Sequence, residues 1–382
     1  MYSILQYGHM IADPVRMDAY ARALRRAVRP GSVVLDVGAG TGIFSLLACQ
    51  LGARRVYAVE PDGAIEAARE IAAANGFEER IRFLGERIED VKLPEKVDVL
   101  VSDLRGSLPF HGTHLRAIAE ARQRFLAPGG TLIPLRDELK AVPVQVGQLY
   151  DQNAAIWTDN AWGLDMSPAR RLVTNTLWSA SRSQKVLAKA RHLATVDYAS
   201  LGSVSLRSGS TWRITRPGTA HGLLLWFDAT LAEGIGFSNA PHRRARVYGR
   251  VCLPLAEPVE VGEGDAFEAR VSADLVDADY VWSWEGVVRE RGAGGAVKAR
   301  FRQSSFYGAP LSADRLRSRA LDHAPGLNAW GRIDALALEL MGRGVALEGI
   351  ARRLACSFPE RFPRWRDAVD RVGSLSAQYG GD

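Results

Sequence analysis

Cysteine is nearly absent. The three that occur, Cys49, Cys252 and Cys356, are odd in number and far apart in 382 residues. They offer neither a disulfide framework nor a metal-ligand spacing, which fits a reducing cytoplasm. No apolar run approaches the ~20 residues of a membrane-spanning helix, and no basic-plus-apolar leader opens the chain, so a secreted protein is not expected. Lysine is scarce as well: 6 of the 49 basic residues, the rest being arginine. The net charge of +6 therefore reads as the arginine, alanine and glycine bias of a GC-rich bacterial genome. It does not read as a nucleic-acid surface, which needs a clustered basic stripe interleaved with aromatics. The basic clusters are short, as in Arg243-Arg244-Ala-Arg246 and Arg352-Arg353. No Ser-His-Asp, zinc or P-loop arrangement is visible.

What is present is ordinary soluble composition, 47% apolar and 24% charged. The chain is long for one core, so two or three domains are expected. Strand patterns at 33–37, 55–60, 81–84, 97–102 and 131–134 alternate with helical patterns at 43–51, 62–75 and 114–126. That is the rhythm of a doubly wound α/β sheet. One helix is predicted over 10–29, ending before Pro30. After about residue 138 the pattern becomes antiparallel β, a sandwich or barrel, with candidate strands at 140–145, 211–215, 223–231, 246–253, 267–275 and 280–288. Helical, aromatic-rich sequence interrupts it at 151–190. Residues 330–379 read as a short helical bundle: 333–341, a Gly342-Arg-Gly344 turn, 347–358 and 365–379. It is either a winged-helix-like module or a helical lid on the barrel.

The chemistry concentrates in Val34-Leu-Asp-Val-Gly-Ala-Gly-Thr-Gly42, followed by Glu60 at the end of the next apolar run. Glycines let a backbone turn sharply and approach a ligand. An acid at the second strand's tip can hold both hydroxyls of a ribose. A dinucleotide site wants G-x-G-x-x-G. Here the order is D-x-G-x-G-T-G, and Asp36 on the strand end repels phosphate while suiting an amine and a sulfonium. This resembles the first motif of class I S-adenosylmethionine (SAM) methyltransferases.

A closer resemblance, to protein arginine methyltransferases, is carried by residues from about 9 to 290. Asp13-Pro-Val-Arg16-x-x-x-Tyr20 is similar to the helix before the first motif. Ile88-Glu89-Asp90-Val91 resembles the adenine-contacting segment. Arg122–Gly130 with Leu132-Ile-Pro134 resembles the end-of-sheet motif. Trp157, Asn160 and Gly163-Leu-Asp-Met-Ser167 match W-x-x-N-x-x-G-x-D-M-S, which leads to the dimerisation arm, and Gly236-Phe-Ser238 resembles the G-F-S before the T-H-W loop. The resemblance implies an α/β fold: a seven-stranded Rossmann-like SAM domain at 1–138 and an antiparallel β-barrel at 139–309 with an inserted arm at 150–190; beyond it the helical periodicity reads as a small helical, winged-helix-like domain at 310–382. It implies SAM as cofactor and a homodimer. Gly38 and Gly40 would admit the amino-acid part of SAM, Asp36 its amine, Arg16 its carboxylate, Glu60 the ribose, and Ile88 with Glu89 the adenine.

The departures bear on the acceptor. The family's S-E-W-M-G-Y-x-L-x-x-E loop reads Ser102-Asp-Leu-Arg-Gly-Ser-Leu-Pro-Phe-His-Gly112, so the first acid is Asp103 and the second is Gly112. The T-H-W triplet is Arg246-Val-Tyr248, and the aromatic lid is hinted at only by Tyr2 and Tyr7. A guanidinium is a planar cation that a carboxylate pair binds bidentately. One Asp with Arg105 two residues on is a poor match to it. The expectation is a bacterial cytoplasmic methyltransferase of specialised metabolism, acting on a neutral or anionic nitrogen, oxygen or activated carbon of a peptide or natural product. The alternatives are an arginine methyltransferase with a rebuilt acid site and a non-catalytic SAM-binding scaffold. Asp103 and His111 are the candidate catalytic residues, with Arg105 and His114 nearby. The tail, Leu327-Asn328 … Leu354, resembles PqqD-type domains that bind leader peptides by strand addition.

Overall fold

The computed structural model describes residues 2–159, 162–180, 184–243, 247–292, 294–310, 312–318 and 320–380. Asn160 of the arm motif and Arg244 and Arg246 of the basic cluster lie outside them. The chain divides into two compact units, Met1–Pro310 and Leu311–Asp382.

The first unit begins with α1 (Ile4–Ile11) and α2 (Pro14–Ala27). The single helix expected over 10–29 is thus two. Asp13 breaks it, its carboxylate accepting from the N–H groups of Val15 and Arg16 at 3.1 and 3.4 Å, with Pro14 in the first turn. An N-cap acid followed by proline starts a helix and cannot sit inside one. Then come β1 (Val33–Val37), α3 (Ile43–Gln50), β2 (Arg55–Val59), α4 (Ala64–Ala74), β3 (Ile81–Leu84), β4 (Val97–Ser102), α5 (His114–Phe125) and β5 (Leu126–Ile133). The strands pair in parallel in the order β3-β2-β1-β4-β5. β1 is buried along its whole length, as a central strand covered on both faces must be. The sheet has five strands among the described residues, not the seven expected. After β5 the chain turns directly into β6 (Arg136–Gln145), which joins the antiparallel region. A division at residue 138 therefore cuts a strand.

The antiparallel region contains α6 (Gly147–Asn153), α7 (Ser167–Val173), β7 (Trp178–Ser179), β8 (Lys185–Val186), β9 (Arg191–Asp197), β10 (Leu206–Arg213), β11 (Gly218–Ala232), β12 (Ile235–Ser238), β13 (Val251–Val261), β14 (Ala266–Val276), β15 (Asp279–Arg289) and β16 (Val297–Ser304), closed by α8 (Ser305–Gly308). One sheet runs β10-β14-β15-β16. The other runs β7-β13-β11-β6-β8, with β12 on β11 and β9 on β6. Both face a core that holds Trp212, Phe267, Trp284, Leu224 and Leu253. Side chains stitch the sheet edges into a barrel: Ser208 Oγ donates to the Leu193 carbonyl at 2.6 Å, and Gln303 Oε1 accepts from the Ala256 N–H at 3.2 Å. The 150–190 segment is only partly helical, since β7 pairs with β13 and β8 with β6.

The second unit holds α9 (Ala313–Arg317), α10 (Ala329–Gly342), α11 (Leu347–Ser357) and α12 (Val369–Tyr379). Its own core gathers Ile333, Ala337, Ile350, Leu354, Phe362, Val372 and Leu375. Gly344, at φ 70°, makes the turn between α10 and α11. Among the described residues it has helices and no strand, so there is no wing and no strand edge to which a peptide could add.

Candidate active site

The parallel sheet reverses direction of build at β1, whose neighbours are β2 and β4. Open α/β sheets bind ligands beyond the strand ends at such a switch point. A cavity of about 860 Å³ lies there. Gly38 and Ala39 line it from the end of β1, Glu60 from β2, Asp103, Leu104 and Arg105 from β4, and Thr41 and Phe44 from the start of α3. Arg16 comes from α2, Tyr2 and Tyr7 from the N-terminal segment, and Tyr248 from the loop before β13.

The glycines earn their positions by contact. Gly38 has φ 75° and Gly40 φ 54°. A Cβ at Gly38 would lie 2.1 Å from Leu104 Cδ2, and one at Gly40 2.3 Å from Tyr7 Cε1. The Tyr7 ring meets Tyr2 edge-on at 6.0 Å, so the two tyrosines hinted at in the sequence do form an aromatic cover over the glycine turn. Glu60 is buried, with Oε2 accepting from the Gly40 N–H at 2.9 Å and Oε1 from the Asp62 N–H at 3.0 Å. Burial raises its carboxyl above the usual range, and those two backbone bonds only partly offset it.

Arg16 is buried and donates from Nε to Asp103 Oδ2 at 2.7 Å and from Nη1 to the Met10 carbonyl at 3.3 Å. Nη2 has no protein hydrogen bond among the described residues. Asp103 also accepts from the Tyr248 hydroxyl. Burial alone would raise the Asp103 carboxyl, but the Arg16 and Arg105 guanidiniums hold it below its usual range. Arg105 is fully buried. Its Nε faces Asp103 Oδ1 at 3.6 Å, its Nη1 faces Asp137 Oδ1 at 3.2 Å, and its Nη2 donates to the Tyr20 hydroxyl at 3.2 Å.

Beyond Asp137 the network continues. Tyr198 donates to Asp137 Oδ2 at 2.6 Å, and its oxygen lies 3.0 Å from His114 Nε2. Because the Tyr198 proton goes to Asp137, His114 donates from Nε2. Burial pushes the His114 pKa down to about 3, so His114 is a neutral strut and not a base. His111 is exposed at the cavity mouth, against Gly106.

Four expected site residues are not among those lining the cavity: Asp36, Gly40, Ile88 and Glu89. Asp36 is fully buried, with Oδ2 accepting from the Ser45 N–H at 3.0 Å and the Ser45 hydroxyl at 2.7 Å. It braces the start of α3. Ile88 is buried, and Glu89 lies 3.8 Å from Arg116. The carbonyls of both accept from Arg124. Asp137 and Tyr198 were not anticipated. Asp137 could have been found, because period 2 along β6 puts it on the inward face with Leu139 and Ala141.

The cavity fits SAM by its donor set. Glu60 keeps acceptor capacity beyond its two backbone bonds, enough for ribose hydroxyls. Arg16 Nη2 can meet a carboxylate, and Gly38 and Gly40 bring no side chain of their own to the turn. SAM, when bound, would supply the electrophilic methyl group, and the residues here would hold it, orient it and exclude water.

Fold and cavity thus define a class I SAM-dependent methyltransferase. The family model for ribosomal protein L11 methyltransferase matches residues 20–162, and the one for the arginine methyltransferase oligomerization subdomain matches residues 136–284. The chain is 31% identical over 268 residues to a probable protein arginine N-methyltransferase 1.2 of Arabidopsis thaliana, covering 68% of this chain and 73% of that one. To protein arginine N-methyltransferase 6 of Danio rerio it is 30% identical over 282 residues, covering 70% and 80%. Among solved structures, the Trypanosoma brucei PRMT1 enzyme-prozyme heterotetrameric complex with AdoHcy matches with a TM-score of 0.69 at 25% identity, over 78% of this chain and 96% of that one. Arabidopsis thaliana protein arginine methyltransferase 10 shares the fold with a TM-score of 0.69 at 22% identity, over 79% and 97%. The chain belongs to the protein arginine N-methyltransferase family.

Proposed function

We propose that this SAM-dependent methyltransferase acts on a neutral or anionic nucleophile of a peptide or natural product, and not on a guanidinium. The observation that carries the reading is the state of Asp103. Its carboxylate already sits between Arg16 and Arg105 and accepts from Tyr248, and the second acid of the family's loop is Gly112. A guanidinium from outside would enter without a free carboxylate partner, and an uncompensated cation in a water-poor site costs several kcal/mol. His111 at the mouth is the candidate base. A neutral imidazole carries a lone pair that can accept a proton from the nucleophile.

The relatives favour a second reading, since their names are those of arginine methyltransferases. In that case the acid pair has been rebuilt from Asp103 and an acid outside the loop. Transfer of labelled methyl from SAM separates the two. Robust turnover of an Arg-Gly-Gly peptide, with the methyl on the guanidine, supports the second reading. Transfer to amide, hydroxyl or carboxylate acceptors, with the arginine peptide inert, supports the first.

A further inference from the structure

We infer that Arg105 is a specificity-determining residue: its guanidinium is a built-in guest in the carboxylate-and-aromatic slot that a guanidinium acceptor would need. The inference rests on the reading above that Asp103 is unavailable to an acceptor, and it adds what occupies it.

Each guanidinium nitrogen of Arg105 meets one group of the slot. Nε faces Asp103, Nη1 faces Asp137, and Nη2 donates to Tyr20. The cation's central carbon lies 5.4 Å from the Phe227 ring and 5.7 Å from the Phe237 ring, within reach of cation–π attraction. The side chain is 0% exposed. Nε, Nη1, Asp103 Oδ1 and Asp137 Oδ1 make no hydrogen bond among the described residues, so the ionic contacts are all that balance them. Two carboxylates, two stacking rings and a phenol are the groups that recognise a planar, forked cation.

Charge counting agrees. Asp103 and Asp137 match Arg16 and Arg105, and His114 is neutral. A second guanidinium would leave the buried cluster with one positive charge too many. The slot spans both halves of the first unit: Asp103 and Arg105 follow β4 of the parallel sheet, and Asp137 and Phe227 belong to β6 and β11. Arg105 therefore also holds the sheet to the barrel while closing the slot.

Removing the guest should open the slot to a stranger. Arg105→Ala takes the cation from Asp137 and leaves Asp103 with Arg16 as its cation, and methylguanidinium can replace the lost group. The full-length variant should gain several degrees of melting temperature with millimolar methylguanidinium, but not with methylammonium at equal ionic strength. The wild-type chain should not respond, and Arg105→Ala with Asp137→Asn should lose the rescue. A folded, SAM-binding Arg105→Ala that ignores methylguanidinium overturns the inference, and so does an equal shift in the wild type. If Arg105→Ala is insoluble, the wild type decides by NMR. One arginine Nε–H, absent in Arg105→Lys, should be protected from solvent exchange. Rapid exchange of every arginine Nε–H would refute the inference. Turnover of an arginine peptide by the wild type would sink the acceptor reading alone, since slot occupancy is judged by the rescue.

Discussion

The Glu60 carboxylate ties down Gly40: it accepts the glycine N–H at 2.9 Å, so the acid at the tip of β2 fixes the turn that follows β1. It thereby shapes the glycine turn, and its remaining acceptor sites would suit ribose hydroxyls. Glu60→Ala should weaken SAM binding about 10- to 100-fold, from charge-assisted hydrogen bonds worth roughly 1.5–3 kcal/mol each. Glu60→Gln, which keeps an acceptor for Gly40, should lose less. Titration calorimetry reads both, and unchanged affinity in Glu60→Ala would show that the ligand or its orientation is misassigned.

Asp36 makes a pH prediction. Burial pushes its pKa up to about 7, against 3.8 when exposed, and the two Ser45 bonds only temper the shift. The folded chain therefore holds a proton that the unfolded chain releases between pH about 4 and 7. The stabilisation is complete below pH about 4 and is lost as pH rises through about 7, by an amount on the order of a few kcal/mol. Asp36→Asn keeps an oxygen for Ser45 and carries no charge. It should flatten that dependence and leave the ligand-free chain at least as stable as wild type at pH 8. Urea unfolding at pH 5 and pH 8 tests this. Equal destabilisation at both values would mean that Asp36 is ionised in the fold.

The parallel sheet was legible because its signals are local. Buried β1 is a continuous apolar run, and D-x-G-x-G-T-G can serve few turns. β16 was missed for a physical reason. It is an edge strand whose Lys298, Arg300 and Arg302 alternate with Ala299, Phe301 and Gln303, the charged dressing that keeps edges from pairing. The cavity lining was legible at Arg16, Gly38, Glu60 and Asp103, which stand at strand or helix ends. The site was not legible at Asp137, Tyr198 and the buried state of His114. These depend on the barrel returning to the parallel sheet, a contact between residues 61 to 84 positions apart. No window along the chain contains it.

The arm carries a prediction about assembly. Ile156, Trp162 and Leu164 expose apolar surface, Trp162 at 82%, and they cluster in the segment similar to the family's dimerisation arm. Exposed apolar groups so close in sequence suit an interface. The chain should sediment as a homodimer at micromolar concentration, and Leu164→Glu should shift it to monomer without loss of helix content. A monomeric wild type would rule this out.

The tail gives the last prediction. Residues 311–382 form a separate unit whose core is its own, with Ile333, Ile350, Leu354, Phe362 and Val372 buried together and Arg371 paired to Asp334 between α12 and α10. Every cavity-lining residue belongs to the first unit. A chain ending at Pro310 should therefore stay soluble and bind SAM with unchanged affinity, and residues 311–382 alone should unfold cooperatively with helical circular dichroism. If the tail recognises the acceptor, the shortened chain should show a raised KM with little change in kcat for any acceptor that the full chain methylates. Recognition would then use a helical face, as in helix-groove docking, because the described tail offers no strand edge. Insolubility of the shortened chain would make the tail part of the folding core. An unchanged KM would remove it from recognition.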